Sequence, residues 1–493
     1  MSTQKQNGFA SSLGFVLASA GSAVGLGNIW GFPYKTGANG GAAFVIVYIL
    51  MALLLGIVGM VAEMYVGRRA QANPVTALKK INPKLGFIGL IAVAVPFFII
   101  CYYSVLGGYT IRGAVASFSD IGKSTAAVSE GFAGFMSNPW LPAVCTFIFL
   151  ALAVLIITGG VQKGIEKASK VLMPLLFIIL LGVMIYCLCL GDGVREGLDF
   201  YILKADFREL GWDGVAAAMG QVFFSMSLGM GIMISYGSYT GKEINLFKSA
   251  VQISLIDTAI ALMAGLAIFP AAFHFIETSG VAAEDVGLGG FALMFKTLPM
   301  VFNSLGTVGG IIGAFFFLMV SIAAITSVVS LVEVVTQFVI QKFKISRKRA
   351  AIIPMIFAML ISVLVSLSLG GHFDLFGFDL LTFFDEITNT VLMPICALAV
   401  CLAAGYGISK REMAKNIYPE KPFFGSFVSY MTRFVTPLLI LVVAVFGMVS
   451  QTMQNPTYYT VLISAACFCL LAGSVYFFAH FDRKDTGHNR DEK

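Results

Sequence analysis

The sequence is poor in charge. Only 12% of its 493 residues are Asp, Glu, Lys or Arg, and 58% are hydrophobic, whereas soluble domains carry roughly 25% charged residues. The apolar residues form long blocks without charge, such as residues 43–62 and 434–481. Blocks of this length are typical of helices that cross a bilayer. The composition therefore excludes an ordinary soluble enzyme and leaves no room for a soluble domain between the blocks.

Histidine and catalytic motifs are also scarce. The chain has 4 histidines, near span ends or in loops and tails, and it contains neither HExxH nor GxSxG, which disfavours an intramembrane enzyme built on Asp257 or Glu63. All 8 cysteines fall inside apolar stretches, which indicates buried thiols rather than disulfides. No basic run is interleaved with aromatic residues, so a nucleic-acid partner is not expected. Residues 18–20 (ASA) resemble a signal-peptidase site, but the apolar stretch continues past them, which indicates a retained span.

The apolar blocks and the polar breaks between them predict twelve membrane-spanning helices. An even number places both termini on one side. If that side is the cytoplasm, 25 of the 32 Lys and Arg residues lie in inner segments, as the positive-inside rule requires. We therefore expect a multi-pass protein of the cell membrane with cytoplasmic termini. The predicted spans are 12–35, 42–66, 86–118, 140–158, 170–190, 215–240, 249–275, 306–342, 350–369, 380–405, 434–451 and 458–480.

Two of these spans contain glycine-rich, hydroxyl- or amide-bearing sequence in the middle of an apolar block. Residues 21–28 (GSAVGLGN) interrupt the first span and residues 225–231 (SMSLGMG) interrupt the sixth. Glycine weakens a helix, although small residues four apart also favour close helix packing. The matching positions favour two inverted halves, each giving a discontinuous helix to a midplane binding site. Free amides at such breaks suit a carboxylate, and free carbonyls suit Na+.

Ionisable residues inside spans are expensive, so each marks a candidate site. Asp257 is the deepest of them and needs a cation or a buried hydrogen-bond donor nearby. Glu63 and Glu333 are expected to bond to backbone amides of the broken helices. Asp385 and Glu386 stand at the start of the tenth span.

Hydroxyl pairs occur in two further spans. For Thr326 and Ser327 the simplest interpretation is a hydrogen bond back to the carbonyl one turn earlier. Tyr102 and Tyr103 fall in the middle of the third span, where a buried phenol needs a partner, and a substrate carboxylate is one choice.

Residues 22–30 (SAVGLGNIW), followed by Phe32-Pro33 and by residues 39–44, resemble the first helix of the neurotransmitter:sodium symporters. The likeness extends over all twelve spans and is nearest in character to the bacterial amino-acid transporters. It implies an all-α integral membrane protein with a five-plus-five inverted repeat, discontinuous helices 1 and 6, and two extra helices. The implied segments are a cytoplasmic N-terminal segment (1–11), a first repeat (12–190), a second repeat (215–405), helices 11 and 12 (434–480) and a cytoplasmic tail (481–493).

The resemblance also implies the positions of two Na+ sites and a substrate site. The substrate carboxylate would meet the amides of Leu26 and Gly27 and the hydroxyl of Tyr103. The first Na+ site would comprise Ala23, Asn28, Ser225 and Asp257, and the second Gly21, Val24, Ala323, Thr326 and Ser327. The substrate site would comprise Ala23, Gly25, Leu26, Gly27, Ile99, Tyr103, Phe224, Ser225, Ser227, Met230, Ser330 and Leu331.

Two positions bear on the substrate and its ions. Gly25 stands where monoamine-transporting relatives have an aspartate, so the substrate is expected to bring its own carboxylate. The apolar pocket then suits medium to large hydrophobic amino acids, including branched or aromatic ones. Asp257 stands where chloride-dependent relatives have Asn, and its fixed charge removes the need for an anion. We therefore expect chloride-independent transport, and the same carboxylate is a candidate for proton antiport.

The gates depart from the family pattern. Gly31 replaces the usual arginine, which leaves Asp385 without its expected partner, and Lys35 is the candidate substitute. On the inner side, Gln6 and Gln341 stand where the family has a charged pair, while Tyr239 remains. Both gates are therefore expected to be uncharged or rearranged and to operate leakily or fast.

Together these features predict a sodium-coupled symporter that imports hydrophobic amino acids by alternating access, with two Na+ ions, no chloride and no enzymatic activity. A proton-coupled amino-acid carrier of the same fold and a non-concentrating amino-acid sensor or channel remain as alternatives. The expected partners are the amino acid and the lipid bilayer, without nucleic acid. Both a monomer and a dimer remain open.

Overall fold

The computed structural model describes residues 8–279, 293–374, 379–418 and 420–454, and within these ranges the chain forms helices and turns without a strand. Nine of the described helices are long and apolar enough to cross a membrane, with mean hydropathy between 1.9 and 2.9 over their most apolar stretch. A bent pair, Ser12–Ala23 and Gly27–Ala38, passes the same test together. The chain is therefore an all-α membrane protein, as predicted.

The described helices are numbered here in chain order. They are α1 (Ser12–Ala23), α2 (Gly27–Ala38), α3 (Ala42–Ala70), α4 (Pro74–Lys79), α5 (Gly86–Ser119), α6 (Thr125–Ser137), α7 (Leu141–Thr158), α8 (Val161–Leu188), α9 (Val194–Leu198), α10 (Phe207–Ser225), α11 (Ile232–Gly237), α12 (Leu246–Ser279), α13 (Leu298–Ser304), α14 (Gly306–Phe343), α15 (Arg347–Leu369), α16 (Leu380–Gly407), α17 (Lys410–Ile417) and α18 (422–454).

Every predicted span but the last overlaps a described helix, and the last, 458–480, lies outside the described residues. Three predicted starts are too late by eight residues or more. In the sixth span, α10 begins at Phe207 rather than 215 and is kinked at Gly211. Helix α8 begins at Val161 rather than 170 because a π-helical turn, Val161–Glu166, carries the polar residues that looked like a loop. Helix α18 begins at Pro422 rather than 434. The division into two repeats at 12–190 and 215–405 stays a prediction.

Helices α5 and α14 pack against each other along the centre of the bundle. Helix α14 is the most buried of the long spans, with 83% of its most apolar stretch inside the protein. Helices α1 and α14 are also in contact, so the first broken span lies beside Tyr103 of α5 and Ser327 of α14.

Candidate substrate and ion site

The first span is broken where its glycines predicted. Helix α1 ends at Ala23, the next residue has an extended conformation, and α2 leaves at an angle of 48°. The two N–H groups that would continue the helix bond elsewhere: Gly25 N–H donates to Asn28 Oδ1 (3.0 Å) and Leu26 N–H to the Tyr103 hydroxyl (2.9 Å). The last carbonyls of α1 are therefore released from the helical ladder.

The sixth span is broken at the matching place. Helix α10 ends at Ser225 and α11 begins at Ile232. Between them Ser227, Gly229 and Gly231 all have positive φ, a conformation that glycine adopts at little cost. The Gly229 N–H donates to Glu63 Oε1 at 2.7 Å, so the predicted role of Glu63 as an acceptor for a broken helix is confirmed.

A cluster of oxygen ligands joins the two breaks around Asp257. Asn28 Nδ2 donates to Asp257 Oδ1 at 2.7 Å, Ser225 Oγ lies 2.9 Å from both carboxylate oxygens, and Tyr48 donates to Oδ2 at 3.3 Å. Asp257 is fully buried, and no Lys or Arg of the described residues forms an ion pair with it. A buried carboxylate needs a compensating positive charge, and carboxylate, hydroxyl and amide oxygens suit a hard cation. The residues fit a Na+ site.

A second group of oxygens surrounds Ser327. Its hydroxyl lies 3.1 Å from the carbonyls of Ser22 and Val24 and 3.5 Å from that of Gly21. Because a hydroxyl donates one proton, at least two of these three acceptors receive none from it. The Ser22 carbonyl also accepts from Ser227 Oγ (3.1 Å), and the other carbonyl oxygens are ligands that suit a cation. The simple back-bonding interpretation is wrong for Ser327, whereas Thr326 does bond to its own helix, at Ala323 O (2.9 Å).

A narrow cavity lies between the breaks. Its walls combine apolar side chains with the hydroxyls of Tyr103, Ser227, Ser22 and Ser327. Most of the residues predicted for the substrate site lie here, and Ser22 and Ser327 join them. The predicted residues that line the cavity are Ala23, Gly25, Gly27, Ile99, Tyr103, Phe224, Ser227, Met230 and Leu331.

Three residues predicted for the substrate site do not line the cavity. Leu26 supplies its N–H to Tyr103, and Ser225 bonds to Asp257. The Ser330 hydroxyl bonds instead to Tyr236 (2.8 Å), because neighbouring residues of a helix point about 100° apart and Leu331 occupies the cavity side.

Gly25 has no room for a side chain. A Cβ there would stand 2.3 Å from Ser327 Oγ and 2.6 Å from the Tyr103 hydroxyl. Gly25 stands where monoamine-transporting relatives are expected to have an aspartate. Here two neighbouring hydroxyls occupy the space that such a side chain would need.

The inner side of the bundle contains a buried ion pair. Glu333 is fully buried, accepts a hydrogen bond from Tyr239 (2.6 Å) and pairs with Arg347, whose Nε also donates to Ile157 O (2.8 Å). The structure thus places a rearranged charged pair on this side, one of the two outcomes expected, whereas the expectation that Glu333 bonds to amides of a broken helix is wrong. Arg347 reaches Glu333 because the chain turns back after α14, which helical spacing does not reveal. Gln341 accepts from Asn73 (2.6 Å), and Gln6 lies outside the described residues.

The segment before α1 is held by a second buried carboxylate, which sequence reasoning missed. Glu166 of α8 is 2% exposed, accepts from Ala10 N–H (2.8 Å) and Ser11 Oγ (3.3 Å), and pairs with Lys170 (2.7 Å). Next to it, Phe9 N–H donates to Tyr239 O (3.2 Å). We call this arrangement of residues 8–11 with Glu166 and Tyr239 the inner clasp.

The outer side is open by comparison. A cavity wider than the one between the breaks lies among α2, α10, α16 and α18, and Lys35, Asp385 and Glu386 line it. Lys35 forms no ion pair within 4 Å with any carboxylate of the described residues. Asp385 accepts from Asn389 (2.6 Å) and Glu386 from Thr390 (2.8 Å).

Gly31 sits beside the amide group of Gln221 on this outer side. A Cβ at Gly31 would lie 3.2 Å from Gln221 Oε1, while Gln221 Nε2 donates to Gly27 O (2.6 Å). Lys35 and Asp385 line the same cavity, as expected if Lys35 substitutes for the missing arginine, but the two side chains do not form an ion pair in this structure.

Residues 6–127 and 135–481 match the model of the sodium:neurotransmitter symporter family. The chain belongs to that family. It is 38% identical over 459 residues to the uncharacterized sodium-dependent transporter YhdH of Bacillus subtilis, covering 90% of this chain and 98% of that one. It is 24% identical over 558 residues to the sodium-dependent neutral amino acid transporter B(0)AT2 of Bos taurus, covering 91% and 73%.

The symporter fold is also found in a solved structure. The crystal structure of MhsT in complex with L-phenylalanine superimposes with a TM-score of 0.81 at 37% identity, over 90% of this chain and 99% of that chain. The predicted family and fold are therefore confirmed, and the protein is a multi-pass membrane transporter of the symporter family.

Proposed function

We propose that this symporter couples Na+ to the import of hydrophobic amino acids by alternating access. The observation that carries the proposal is a buried carboxylate without a cationic partner, Asp257, together with a group of backbone carbonyls around Ser327, both beside one apolar-walled cavity. A cation at each group would supply the missing positive charge, and the cavity would receive the substrate.

The proposed first ion takes oxygens of Asn28, Ser225 and Asp257, with the Ala23 carbonyl and the substrate carboxylate. The second takes the carbonyls of Gly21, Val24 and Ala323 with the hydroxyls of Thr326 and Ser327. Bound Na+ contributes fixed positive charge that neutralises buried oxygens and attracts the substrate carboxylate. Ser327 of the second group lines the cavity itself, whereas the Asp257 group lies behind it and joins the two helix breaks that border it.

The substrate proposal rests on Gly25 and on the apolar wall. A substrate must bring its own carboxylate, because no side chain fits at Gly25. Ile99, Phe224, Met230 and Leu331 favour an apolar side chain, and Met can repack around several shapes. The L-phenylalanine bound by MhsT and the neutral amino acids named for B(0)AT2 are consistent with this class.

Chloride independence follows from the charge of Asp257. Two Na+ ions, a zwitterionic substrate and the Asp257 carboxylate give the occupied site a net charge of +1, so no further anion is needed. We propose also that the protein lies in the cell membrane with cytoplasmic termini, that its two repeats span 12–190 and 215–405, and that it carries no enzymatic activity.

The test is uptake of radiolabelled phenylalanine, leucine and serotonin into proteoliposomes. A Na+ gradient should drive accumulation of the amino acids but not of serotonin, equally well in chloride and in gluconate. Ser327→Ala should raise the Na+ concentration for half-maximal uptake at least tenfold. The matched control is Ser321→Ala, a buried hydroxyl of the same helix that bonds to Thr110 and Phe317.

The same assay separates the alternatives. Accumulation driven by a proton gradient without Na+ would establish the proton-coupled carrier and overturn the proposal. Binding without accumulation would indicate a sensor or channel. A collapse of uptake in gluconate would overturn the chloride prediction alone.

A further inference from the structure

A wholly apolar groove runs along the surface of the bundle between α7 and α15. It is open to the surface, and the side chains that line it include Phe147, Val154, Leu155, Ile352, Ile356 and Leu360. Phe147 is 60% and Leu360 61% exposed. An exposed apolar surface on a membrane-spanning segment faces lipid chains rather than water, so hydrocarbon is the expected content of this groove.

The groove ends at two exposed cations. Lys348 lies on the same face of α15 as Ile352, Met355 and Met359, which follow it by four, seven and eleven residues, and Arg349 is aligned in the same way with Ile356 and Leu360. Both cations are exposed, and neither forms an ion pair with a carboxylate of the described residues. Residues 342–349 contain five basic residues and no acidic one.

We propose that this groove binds an anionic phospholipid, with one acyl chain between α7 and α15 and the phosphate at Lys348 and Arg349. The distance along the helix from Arg349 to Leu360 is about 17 Å, close to the roughly 15 Å of one leaflet's hydrocarbon. Cations at the membrane surface attract anionic headgroups. A zwitterionic phospholipid would fill the groove too, but its own ammonium group would compete with the two cations for its phosphate.

The position gives the lipid a structural role. The neighbouring Arg347 joins α15 to α7 through Ile157 O and to α14 through Glu333. The lipid lies along the same pair of helices, one turn away from that contact, so it holds α7 and α15 together beside the inner ion pair.

The experiment is native mass spectrometry of the full chain in mild detergent, titrated with dioleoyl phosphatidylglycerol or with dioleoyl phosphatidylcholine. The intact protein should retain the anionic lipid several-fold better than the neutral one. The double variant K348Q/R349Q should lose this preference. The control K410Q/R411Q, an exposed cationic pair at the start of α17, should keep it. Ala151→Phe, which fills the groove, should reduce retention of both lipids.

Three results would overturn the inference. One is an equal loss of preference in K410Q/R411Q, which would indicate unspecific attraction to surface charge. Another is competition by glycerol phosphate, which would indicate a headgroup site without the groove. The third is a dimer that Ala151→Phe dissociates without changing lipid retention, which would make the groove an interface between two copies. Thermal melting of each variant establishes that the protein measured is folded.

Discussion

On the inner side of the cavity Glu333 is buried between Tyr239 and Arg347, whereas on the outer side Lys35 faces Asp385 and Glu386 across an open cavity without an ion pair within 4 Å. Both sides contain opposite charges, and the burial and separation of these charges determine how much they contribute to the free energy of unfolding. Removing one partner of a buried pair costs about 3–5 kcal/mol, whereas an exposed pair contributes about 0–1 kcal/mol. A buried ion pair thus stabilises the inner side of this structure, whereas Lys35 forms no ion pair with Asp385 or Glu386 on the outer side.

Arg347→Ala is expected to have the largest effect on this difference between the inner and outer sides. It leaves the carboxylate of Glu333 buried without a cation, so we expect a loss of about 3–5 kcal/mol in the free energy of unfolding. Thermal unfolding in detergent measures the loss, with Arg411→Ala, an exposed arginine of α17, as the control that changes stability by less than about 0.5 kcal/mol. Equal melting of the two variants would show that the pair does not fasten the inner side.

Tyr239→Phe removes a single hydrogen bond from the same carboxylate. A bond to a charged group is worth about 1.5–3 kcal/mol, so the expected loss is smaller than that of Arg347→Ala. The control is Tyr236→Phe, whose partner is the neutral hydroxyl of Ser330 and whose expected loss is about 1 kcal/mol. Chemical unfolding of both variants tests the order, and a larger loss for Tyr236→Phe would contradict it.

Ser11→Ala tests the inner clasp. Ser11 caps α1 by accepting from Gly14 N–H and also donates to Glu166, so about 1 kcal/mol of local stability should be lost. Hydrogen exchange at residues 8–14 should quicken accordingly. Ser124→Ala removes an equivalent cap from the outer helix α6, and exchange at residues 8–14 should not respond to it. If both variants leave that segment unchanged, the clasp contributes nothing measurable.

The smallest effect is expected at Lys35. Lys35→Ala should change stability by less than about 1 kcal/mol but should speed the dissociation of labelled phenylalanine up to about fivefold, because closure of the outer side loses its cation. Raising the salt concentration should bring the unaltered protein part of the way toward the variant, since Lys35 and Asp385 are half-buried and such charges are screened less than exposed ones. Normal dissociation and gate closure in Lys35→Ala would rule out its role as the substitute for the missing arginine.

The contrast between the gates also shows what could be predicted from the sequence. The helix breaks and Asp257 were predictable because glycines, hydroxyls and a carboxylate stand out inside apolar blocks. The pair of Glu333 with Arg347 and the contact of Glu166 with Ala10 were not predictable. Each joins residues of two different segments, which only the folded structure brings together. Arg347 and Glu166, which the sequence did not single out, lie in segments that resemble solvated loops.

The same limit explains smaller differences at the site. Ser330 was assigned to the cavity by resemblance, although its orientation depends on the rotation of α14 about its own axis, which no local pattern fixes. Ser22 was not assigned to the substrate site, because a serine beside glycines indicates only a locally weakened helix. Its carbonyl and hydroxyl face Ser327 and Ser227 only after α1 has ended.

The crowding around Gly25 has a consequence for the evolution of such a site. With Ser327 Oγ 2.3 Å and the Tyr103 hydroxyl 2.6 Å from the position of a Cβ, one substitution cannot add a side chain there without displacing its neighbours. A lineage that acquires a residue with a side chain at this position must first, or at the same time, change residue 103 or 327 or the angle between the two half-helices. Changes at these three places should therefore occur together in related sequences, and a new substrate class would be reached by a coordinated set of substitutions rather than by one.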